Sequence, residues 1–290
     1  MIIICETGRF GNQLFQFNYC LKLKKKNEII LFIGFGDLEK FLKKDNNLIF
    51  IKCKNFLFKF LNYFFSFLIM FKIINSVKEN EYQEIKNKRG FLKNITFVQG
   101  YFENEKYIEN KISSRFSKMR QEKEAIKYIG YLKKKFSKHI LFVHIRLTDQ
   151  LIGCFKEASS ELPLRWFFKC QNIFKKKFKN CKFIYLSDDL EFLKANFKNS
   201  EFIKNRDKYY NFFIMKHCDG GILSPSTFSW WAAFLSQKTS FYAPLYWHGH
   251  KIKKQWPPKM VSSFIKYAPV LKKEYKNQIR NESKFYKMHI

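Results

Sequence analysis

The sequence predicts an α/β fold with two doubly wound domains. The chain has 290 residues, which is enough for two domains of ordinary size. It opens with the order strand, turn, helix, strand, and its second half alternates short apolar strands with helices. Neighbouring parallel strands need crossover helices between them, so this alternation indicates a parallel sheet in each half of the chain.

The first domain is predicted from apolar runs separated by turn residues. The start of the chain lacks a basic segment and a cleavage site, so it reads as a buried strand and not as a signal peptide. In chain order the predicted elements are a strand at Ile2–Cys5, a turn at Gly8–Gln13, a helix from Leu14 to about Lys26, strands at Ile29–Ile33 and Thr96–Tyr101, and helical stretches from Glu105 and from about Lys118 to Phe136.

The segment Phe56–Ile74 is the most apolar part of the sequence and allows two interpretations. Lys59 and Lys72 interrupt it, and the uninterrupted core of about twelve residues is too short to span a bilayer. Its phenylalanines and the surrounding lysines are typical of a helix that lies in a membrane interface. A helix packed in the protein core has the same composition.

The second domain is predicted to begin after a basic seam at Lys133–His139. We therefore expect one doubly wound α/β domain at 1–135, a second at 136–270, and a charged tail helix at 271–290. The predicted elements of the second domain are a strand at Ile140–Ile145, a helix at Leu164–Lys177, a strand at Phe183–Leu186, a helix capped by Ser187-Asp188-Asp189, a helix at Tyr209–His217, a strand at Gly221–Leu223, a helix at Trp230–Ser236 and a strand at Phe241–Ala243.

Composition limits the partners and the compartment. The net charge is +31, which favours an anionic substrate or an anionic membrane surface. Only eight of the 55 basic residues are Arg, and no nucleic-acid motif is present, so a nucleic-acid partner is not expected. The seven cysteines are scattered and odd in number, which argues against a disulfide framework and for a reducing cytoplasm.

The most informative segment runs from Leu223 to Phe234, where hydroxyl side chains follow a short strand and precede two tryptophans. Ser226 or Thr227 can cap the following helix. A helix N-terminus lined with hydroxyl groups is suited to a phosphate. An ordinary strand-to-helix corner with the tryptophans in the core is the alternative.

A second polar cluster, His144-Ile145-Arg146-Leu147-Thr148-Asp149, follows the strand Ile140–Ile145. Ligands of open α/β sheets bind at the carboxyl ends of strands. Arg146 can bind two phosphate oxygens at once, and His144 can donate a hydrogen bond or accept a proton. A surface ion pair between Arg146 and Asp149 is the alternative.

Four segments occur in an order that resembles the α-1,2-fucosyltransferases of glycosyltransferase family 11. They are Gly8-Arg9-Phe10-Gly11-Asn12-Gln13-Leu14-Phe15-Gln16, the His144–Asp149 cluster, Tyr185-Leu186-Ser187-Asp188-Asp189, and Ser226-Thr227-Phe228-Ser229-Trp230-Trp231-Ala232-Ala233. The resemblance spans roughly residues 2 to 250.

The resemblance implies a GT-B-type fold, with two Rossmann-like domains facing a cleft, and a transfer that needs no metal or other cofactor. The domain at 1–135 would lie on the acceptor side, and the domain at 136–270 would bind the nucleotide sugar. L-fucose would pass from GDP-β-L-fucose, with inversion, to a sugar hydroxyl, usually O2 of a terminal galactose. Arg146 would neutralise the donor diphosphate and His144 would contact the guanosine. The donor-binding set would comprise these two residues with Ser226, Thr227, Ser229 and Asn211, and the loop Gly8, Arg9, Gly11, Asn12 and Gln13 would line the cleft.

The identity of the base that accepts the proton of the acceptor hydroxyl stays open. Asp149, His144 and the departing phosphate are the candidates. The resemblance implies an oligosaccharide acceptor in a bacterial surface glycan, such as lipopolysaccharide or capsule. We expect the enzyme in the cytoplasm, peripheral on the inner membrane through its lysines.

Two departures from the family pattern bear on the donor. Leu147 stands where the family usually has a second Arg, and Asn211 where it tends to have Asp. A related transferase that uses another nucleotide sugar is therefore one alternative, and a non-catalytic remnant that binds glycan or membrane is another. His248-Gly249-His250 has no carboxylate or cysteine at ligand spacing, so no metal site is predicted.

Overall fold

The structure is a computed structural model that describes residues 1–53, 55–80, 83–147, 150, 154–155, 158–197, 200–204, 207–238 and 240–275. The chain divides into two compact units, Met1–Lys118 and Met119–Ile290. Each unit is built on its own six-stranded sheet.

The first unit has a sheet in the order β3-β2-β1-β6-β4-β5, parallel except for the antiparallel β4–β5 hairpin. Its strands β1 and β2 are buried apolar runs, as expected of strands covered on both faces. The elements are β1 (Ile2–Cys5), α1 (Phe10–Leu23), β2 (Ile30–Ile33), α2 (Gly36–Phe41), β3 (Leu48–Ile51), α3 (Asn55–Met70), β4 (Ile74–Asn80), β5 (Gln83–Asn87) and β6 (Leu92–Gln99). The helix predicted from Leu14 thus begins earlier, at Phe10, and the stretch predicted from Glu105 forms only short 3-10 turns at Glu105–Tyr107 and Ile112–Arg115.

The second unit has an all-parallel sheet in the order β11-β10-β7-β12-β13-β14. The elements are α4 (Arg120–Lys135), β7 (His139–Ile145), a small hairpin of β8 (Cys154–Phe155) and β9 (Ala158–Ser159), α5 (Leu164–Lys177), β10 (Cys181–Ser187), α6 (Leu190–Asn196), β11 (Glu201–Phe202), α7 (Lys208–His217), β12 (Gly220–Leu223), α8 (Thr227–Ser236), β13 (Phe241–Pro244) and β14 (Ile265–Ala268). Trp166 and Phe174 of α5 pack with Val143 of β7 in its core.

The division between the units falls before α4, whereas the sequence places it after residue 135. Two polar contacts explain the difference. Glu122 of α4 accepts a hydrogen bond from Lys216 of α7 at 2.6 Å, and Lys133 pairs with Asp219 at 2.7 Å. Because α4 packs along α7, it belongs to the second unit. The predicted tail helix at 271–290 lies mostly outside the described residues, which show a short 3-10 turn at Lys272–Glu274.

Candidate functional site

The carboxyl ends of three neighbouring strands in the second unit bring the predicted motifs together. His144 of β7 pairs in register with Leu186 of β10 and with Leu223 of β12. The loops after these strands therefore start at the same edge of the sheet, which is where open α/β sheets bind ligands.

Ser224 joins two of these loops. Its hydroxyl donates to the carbonyl oxygen of His144 at 2.9 Å and accepts from the backbone N–H of Arg146 at 3.1 Å. The side chain is buried. Sequence analysis did not single out Ser224, although it lies inside the hydroxyl-rich segment. Its contacts fix the backbone from which the Arg146 side chain extends.

The guanidinium of Arg146 lies beside the start of α8. Its Nη1 donates to Oγ of Ser226 at 3.2 Å. Ser226 is the residue that precedes α8, and its side chain makes no capping bond to the helix, so the hydroxyl serves Arg146 instead. A fixed guanidinium and the positive end of a helix dipole then act at one place, and both favour an anion.

His144 is a neutral imidazole at neutral pH. Burial lowers the pKa of His144 to about 4; Asp188 acts in the opposite direction, and Arg146 lowers the pKa further. Among the described residues, its Nδ1 atom is buried without a hydrogen-bond partner. The ring also lies 6.3 Å from that of Phe228. His144 is therefore suited to a directional hydrogen bond with an uncharged group and not to charge neutralisation.

The carboxylates after β10 hold the local backbone. Asp188 accepts a hydrogen bond from the backbone N–H of Leu147 at 2.9 Å, and Asp189 caps α6 by accepting from the N–H of Phe192 at 2.9 Å. Leu147 itself is buried among the core side chains of the second unit. The position at which the family pattern has a second Arg thus faces the apolar core. Thr148 and Asp149 lie outside the described residues.

The remaining predicted donor residues occupy different environments. Thr227 is half-buried in the first turn of α8. The side chain of Ser229 is completely buried, and its hydroxyl donates to the carbonyl oxygen of Ser226 at 3.2 Å, so it stabilises the start of the helix. Asn211 lies on α7, next to Phe212, whose ring packs 5.5 Å from that of Phe228 on α8.

The predicted loop Gly8–Gln13 follows β1 at the carboxyl edge of the first sheet. Gly8 has a φ of +81°, and a Cβ atom there would meet Nδ2 of Asn12 at 2.3 Å, so glycine is required. Gly11 is buried, Asn12 is half-buried and Arg9 is exposed. Arg9 is therefore the residue of this loop with the most accessible side chain.

The two glutamines of this segment anchor the loop. Gln13 donates to Glu6 at 2.8 Å and accepts from the backbone N–H of Leu38 at 3.1 Å. Gln16 donates to the carbonyl oxygens of Thr7 and Gly100, which ties the loop after β1 to the loop after β6. The sequence analysis assigned Gln13 to the cleft, but its side chain is buried, so its contribution is to hold the loop's shape.

Glu79 also stabilises this edge of the sheet, and sequence analysis did not identify it. Its carboxylate accepts hydrogen bonds from the backbone N–H groups of Tyr101 and Phe102 at 2.9 and 2.6 Å. No sequence signal marks Glu79, because the contact depends on β4 lying beside β6.

His250, the second histidine of the His248-Gly249-His250 segment, has a structural role. Both ring nitrogens of His250 are within hydrogen-bond distance of protein oxygens, Nδ1 at 2.6 Å from the Tyr275 hydroxyl and Nε2 at 3.1 Å from the Ser160 carbonyl. In the part of the chain that the structure describes, no three His, Cys, Asp or Glu side chains are grouped as metal ligands would be.

Comparison with known proteins supports the fold class. The chain is similar to a variant of Arabidopsis thaliana FUT1 solved in complex with GDP, with a TM-score of 0.50 and 10% identity over 84% of this chain and 70% of that chain. It also matches POFUT1 solved in complex with GDP-fucose, with a TM-score of 0.44 and 14% identity over 83% of this chain and 97% of that chain. No curated protein sequence matches the chain. The two doubly wound sheets and the likeness to the Arabidopsis protein confirm the predicted GT-B-type α/β class.

The family model of glycosyl transferase family 11 matches residues 1–255, which include the Gly8–Gln16 segment, the Arg146 cluster and the start of α8. Since this match extends over most of the chain and over every motif described above, the protein belongs to glycosyl transferase family 11.

Proposed function

We propose that the protein transfers L-fucose from GDP-β-L-fucose, with inversion, to a sugar hydroxyl. The acceptor we propose is O2 of a terminal galactose in a bacterial surface glycan. The observation that carries the proposal is the guanidinium of Arg146, which is bonded to Ser226 at the start of α8 in a member of family 11. The GDP bound by the similar Arabidopsis structure supports a guanosine diphosphate donor.

The chemistry of the transfer makes use of this arrangement. Negative charge develops on the diphosphate as the bond to the fucose anomeric carbon breaks. Fixed charges and dipoles stabilise such charge without having to reorganise, which is usually the largest contribution to catalysis. Arg146 and the start of α8 supply them in this site.

His144 suits recognition of the donor better than proton removal. An imidazole with a pKa of about 4 is neutral at neutral pH but holds a proton only weakly. We therefore assign His144 to the guanosine, as the family resemblance implies. Asp149 and the departing phosphate are the remaining candidates for the base.

A donor competition assay tests the proposal. The purified protein is offered GDP-fucose, GDP-mannose or UDP-galactose with a galactose-terminated acceptor, and released nucleotide and product mass are measured. We expect GDP release and a fucosylated product with GDP-fucose only. Turnover with another donor would favour the alternative that Leu147 and Asn211 suggest. Absence of turnover with every donor and a panel of acceptors would favour a non-catalytic role.

We also propose that the transfer needs no metal, because the arrangement around Arg146 supplies positive charge from the protein itself. Activity should persist after dialysis against EDTA. Loss of activity that Mn²⁺ or Mg²⁺ restores would contradict this and would turn attention to Asp188 and Asp189. The cytoplasmic, membrane-peripheral location stays part of the proposal.

A further inference from the structure

The outer face of α3 is an exposed apolar surface. Seven large side chains on this helix and its C-terminal end are between 44% and 85% exposed: Phe56, Phe60, Tyr63, Phe64, Phe67, Met70 and Phe71. They recur at steps of three and four residues, which places them along one side of the helix. We call these seven residues the outer stripe. An exposed apolar patch of this kind marks an interaction site.

The opposite side of α3 already packs on the sheet. Phe65 is buried, and its ring stacks 4.9 Å from that of Phe97 on β6. Phe58, Leu61, Leu68 and Ile69 pack against the same cluster. Since this side is occupied, α3 cannot bury the outer stripe by rotating within its own unit.

Two polar side chains of α3, Asn62 and Ser66, are bonded to their own helix. The Ser66 hydroxyl donates to the carbonyl oxygen of Asn62 at 2.8 Å, and the Asn62 amide donates to that of Phe58 at 3.3 Å. Polar groups that are hydrogen-bonded within their own helix lose little free energy when water is removed from them. The helix is therefore compatible with an apolar environment along most of its length.

Basic residues and one more aromatic residue extend this surface. Phe91 is 86% exposed, and its backbone N–H donates to the carbonyl oxygen of Lys72, directly after α3. Exposed basic side chains occur on α3, directly after it, and on both sides of Phe91. They include Lys59, Lys72, Lys88, Arg89 and Lys93. No acidic residue occurs between Asp45 and Glu79. An apolar helix face rimmed by lysine is the composition of helices that lie in the headgroup region of anionic membranes.

We propose that the outer stripe docks the protein on an anionic lipid surface, with the aromatic side chains among the upper acyl chains and the lysines at the headgroups. A second copy of the chain is a poorer partner, because a two-fold contact would bring the same lysines together. In the described residues, no helix is long and apolar enough to cross a membrane, and docking needs none. This inference does not depend on the sugar donor.

Co-sedimentation with vesicles tests the inference. The full chain is mixed with phosphatidylglycerol or phosphatidylcholine vesicles at low salt. The test variant is Phe60→Ser with Phe67→Ser, since both side chains are in the outer stripe. The control is Ile126→Ser with Phe168→Ser, two exposed apolar residues of the second unit. We expect binding to phosphatidylglycerol that falls at least about tenfold in the test variant and stays unchanged in the control.

A charge variant and a solution measurement make the test decisive. Lys72→Glu with Lys88→Glu leaves every apolar residue in place and should also weaken binding to phosphatidylglycerol at least about tenfold, because each lysine near an anionic surface contributes about 1 kcal/mol. Unchanged vesicle binding in both variants would overturn the inference. So would a lipid-free dimer, seen by analytical ultracentrifugation, that the Phe60/Phe67 variant dissociates while the parent chain ignores vesicles.

Discussion

At the scale of single residues, Arg146 is held from two directions. Ser224 accepts from its backbone N–H, and Ser226 accepts from its guanidinium. The side chain is thus oriented before any ligand arrives, which is the condition under which a charge contributes most to catalysis.

Replacing Arg146 should remove most of the activity. Arg146→Ala should lower kcat/KM by at least about a hundredfold, because a preorganised donor at a developing negative charge contributes about 2.7–4 kcal/mol. Arg146→Lys should restore little, since the planar guanidinium is lost. Steady-state kinetics with GDP-fucose measure the effect, with the exposed Arg165→Ala as the control. Parent-like kinetics in Arg146→Ala would remove this residue from the donor site.

A second prediction concerns Leu147. Because its side chain is buried, an Arg at this position, as in the family pattern, would face the apolar core. Leu147→Arg should not improve donor binding. It should destabilise the second unit by about 3–5 kcal/mol, the cost of an unpaired charge in an apolar core. Urea unfolding measures this, and Leu147→Met, which conserves volume, should cost less than about 1.5 kcal/mol. A stable Leu147→Arg protein with tighter GDP binding would show that this side chain reaches the ligand.

Sequence patterns identified residues of the candidate site, but they did not predict which of the side chains are buried. Arg146, His144 and Ser226 do meet at one edge of the sheet. The burial of Ser229, Gln13 and Leu147 could not be predicted, because it depends on which side of a helix or loop faces the core. Ser224 and Glu79 act through contacts between distant segments, which a single sequence does not display.

At the scale of elements, buried apolar strands and helices with one apolar side were the reliable signals. The strands β1 and β7 and the helix α5 agree with the sequence prediction to within one residue. The predictions missed the edge strand β3, which has no buried side chain, and the edge strand β14, in which only the first and last of four side chains are buried. They also missed the β4–β5 hairpin, which directly follows the apolar α3. One side of α3 packs in the core, as the second interpretation of Phe56–Ile74 expected, and the other side is exposed. Its contact with a membrane stays a prediction.

The attachment of α4 to α7 is testable at this scale. Burial acts to raise the pKa of Glu122, but hydrogen bonds from Lys216 and His217 outweigh it and lower the pKa. Glu122→Ala should therefore cost about 1–3 kcal/mol of unfolding free energy. The matched control is Glu124→Ala, which breaks an exposed pair with Arg120 and should cost under about 0.5 kcal/mol. Equal urea midpoints for the two variants would contradict the role given to Glu122.

At the scale of the whole molecule, stability should fall as the solution becomes acidic. Burial lowers the pKa of His144 and of His250 to about 4. Their ordinary value is about 6.5, so between these limits the unfolded chain binds more protons and unfolding is favoured. The stabilisation is complete above pH 6.5 and is lost as pH falls towards 4.

Each histidine should contribute about 2 kcal/mol to the difference in unfolding free energy between pH 7.5 and pH 5. Urea unfolding at the two pH values measures this difference, and His144→Gln should reduce it. An identical difference in the parent and the variant would show that His144 titrates normally in the folded protein.

The presence of two α/β units was predictable from the alternation of strands and helices, but the boundary was not. The basic stretch at Lys133–His139 has the composition of a linker, yet the polar contacts of α4 place that helix with the second sheet. The composition of a segment does not determine which unit it belongs to, because that depends on its packing contacts.

The outer stripe of α3 and the charge of the chain have opposite effects on how the protein behaves in concentrated solution. Exposed phenylalanines draw molecules together over a few ångströms, whereas the net charge of +31 keeps them apart over a Debye length of about 10 Å at 0.1 M salt. Salt shortens the range of the electrostatic repulsion but does not weaken the attraction between the apolar side chains. The lipid-free protein is therefore most dispersed in dilute buffer, and the high-salt washes usual in purification bring it towards precipitation.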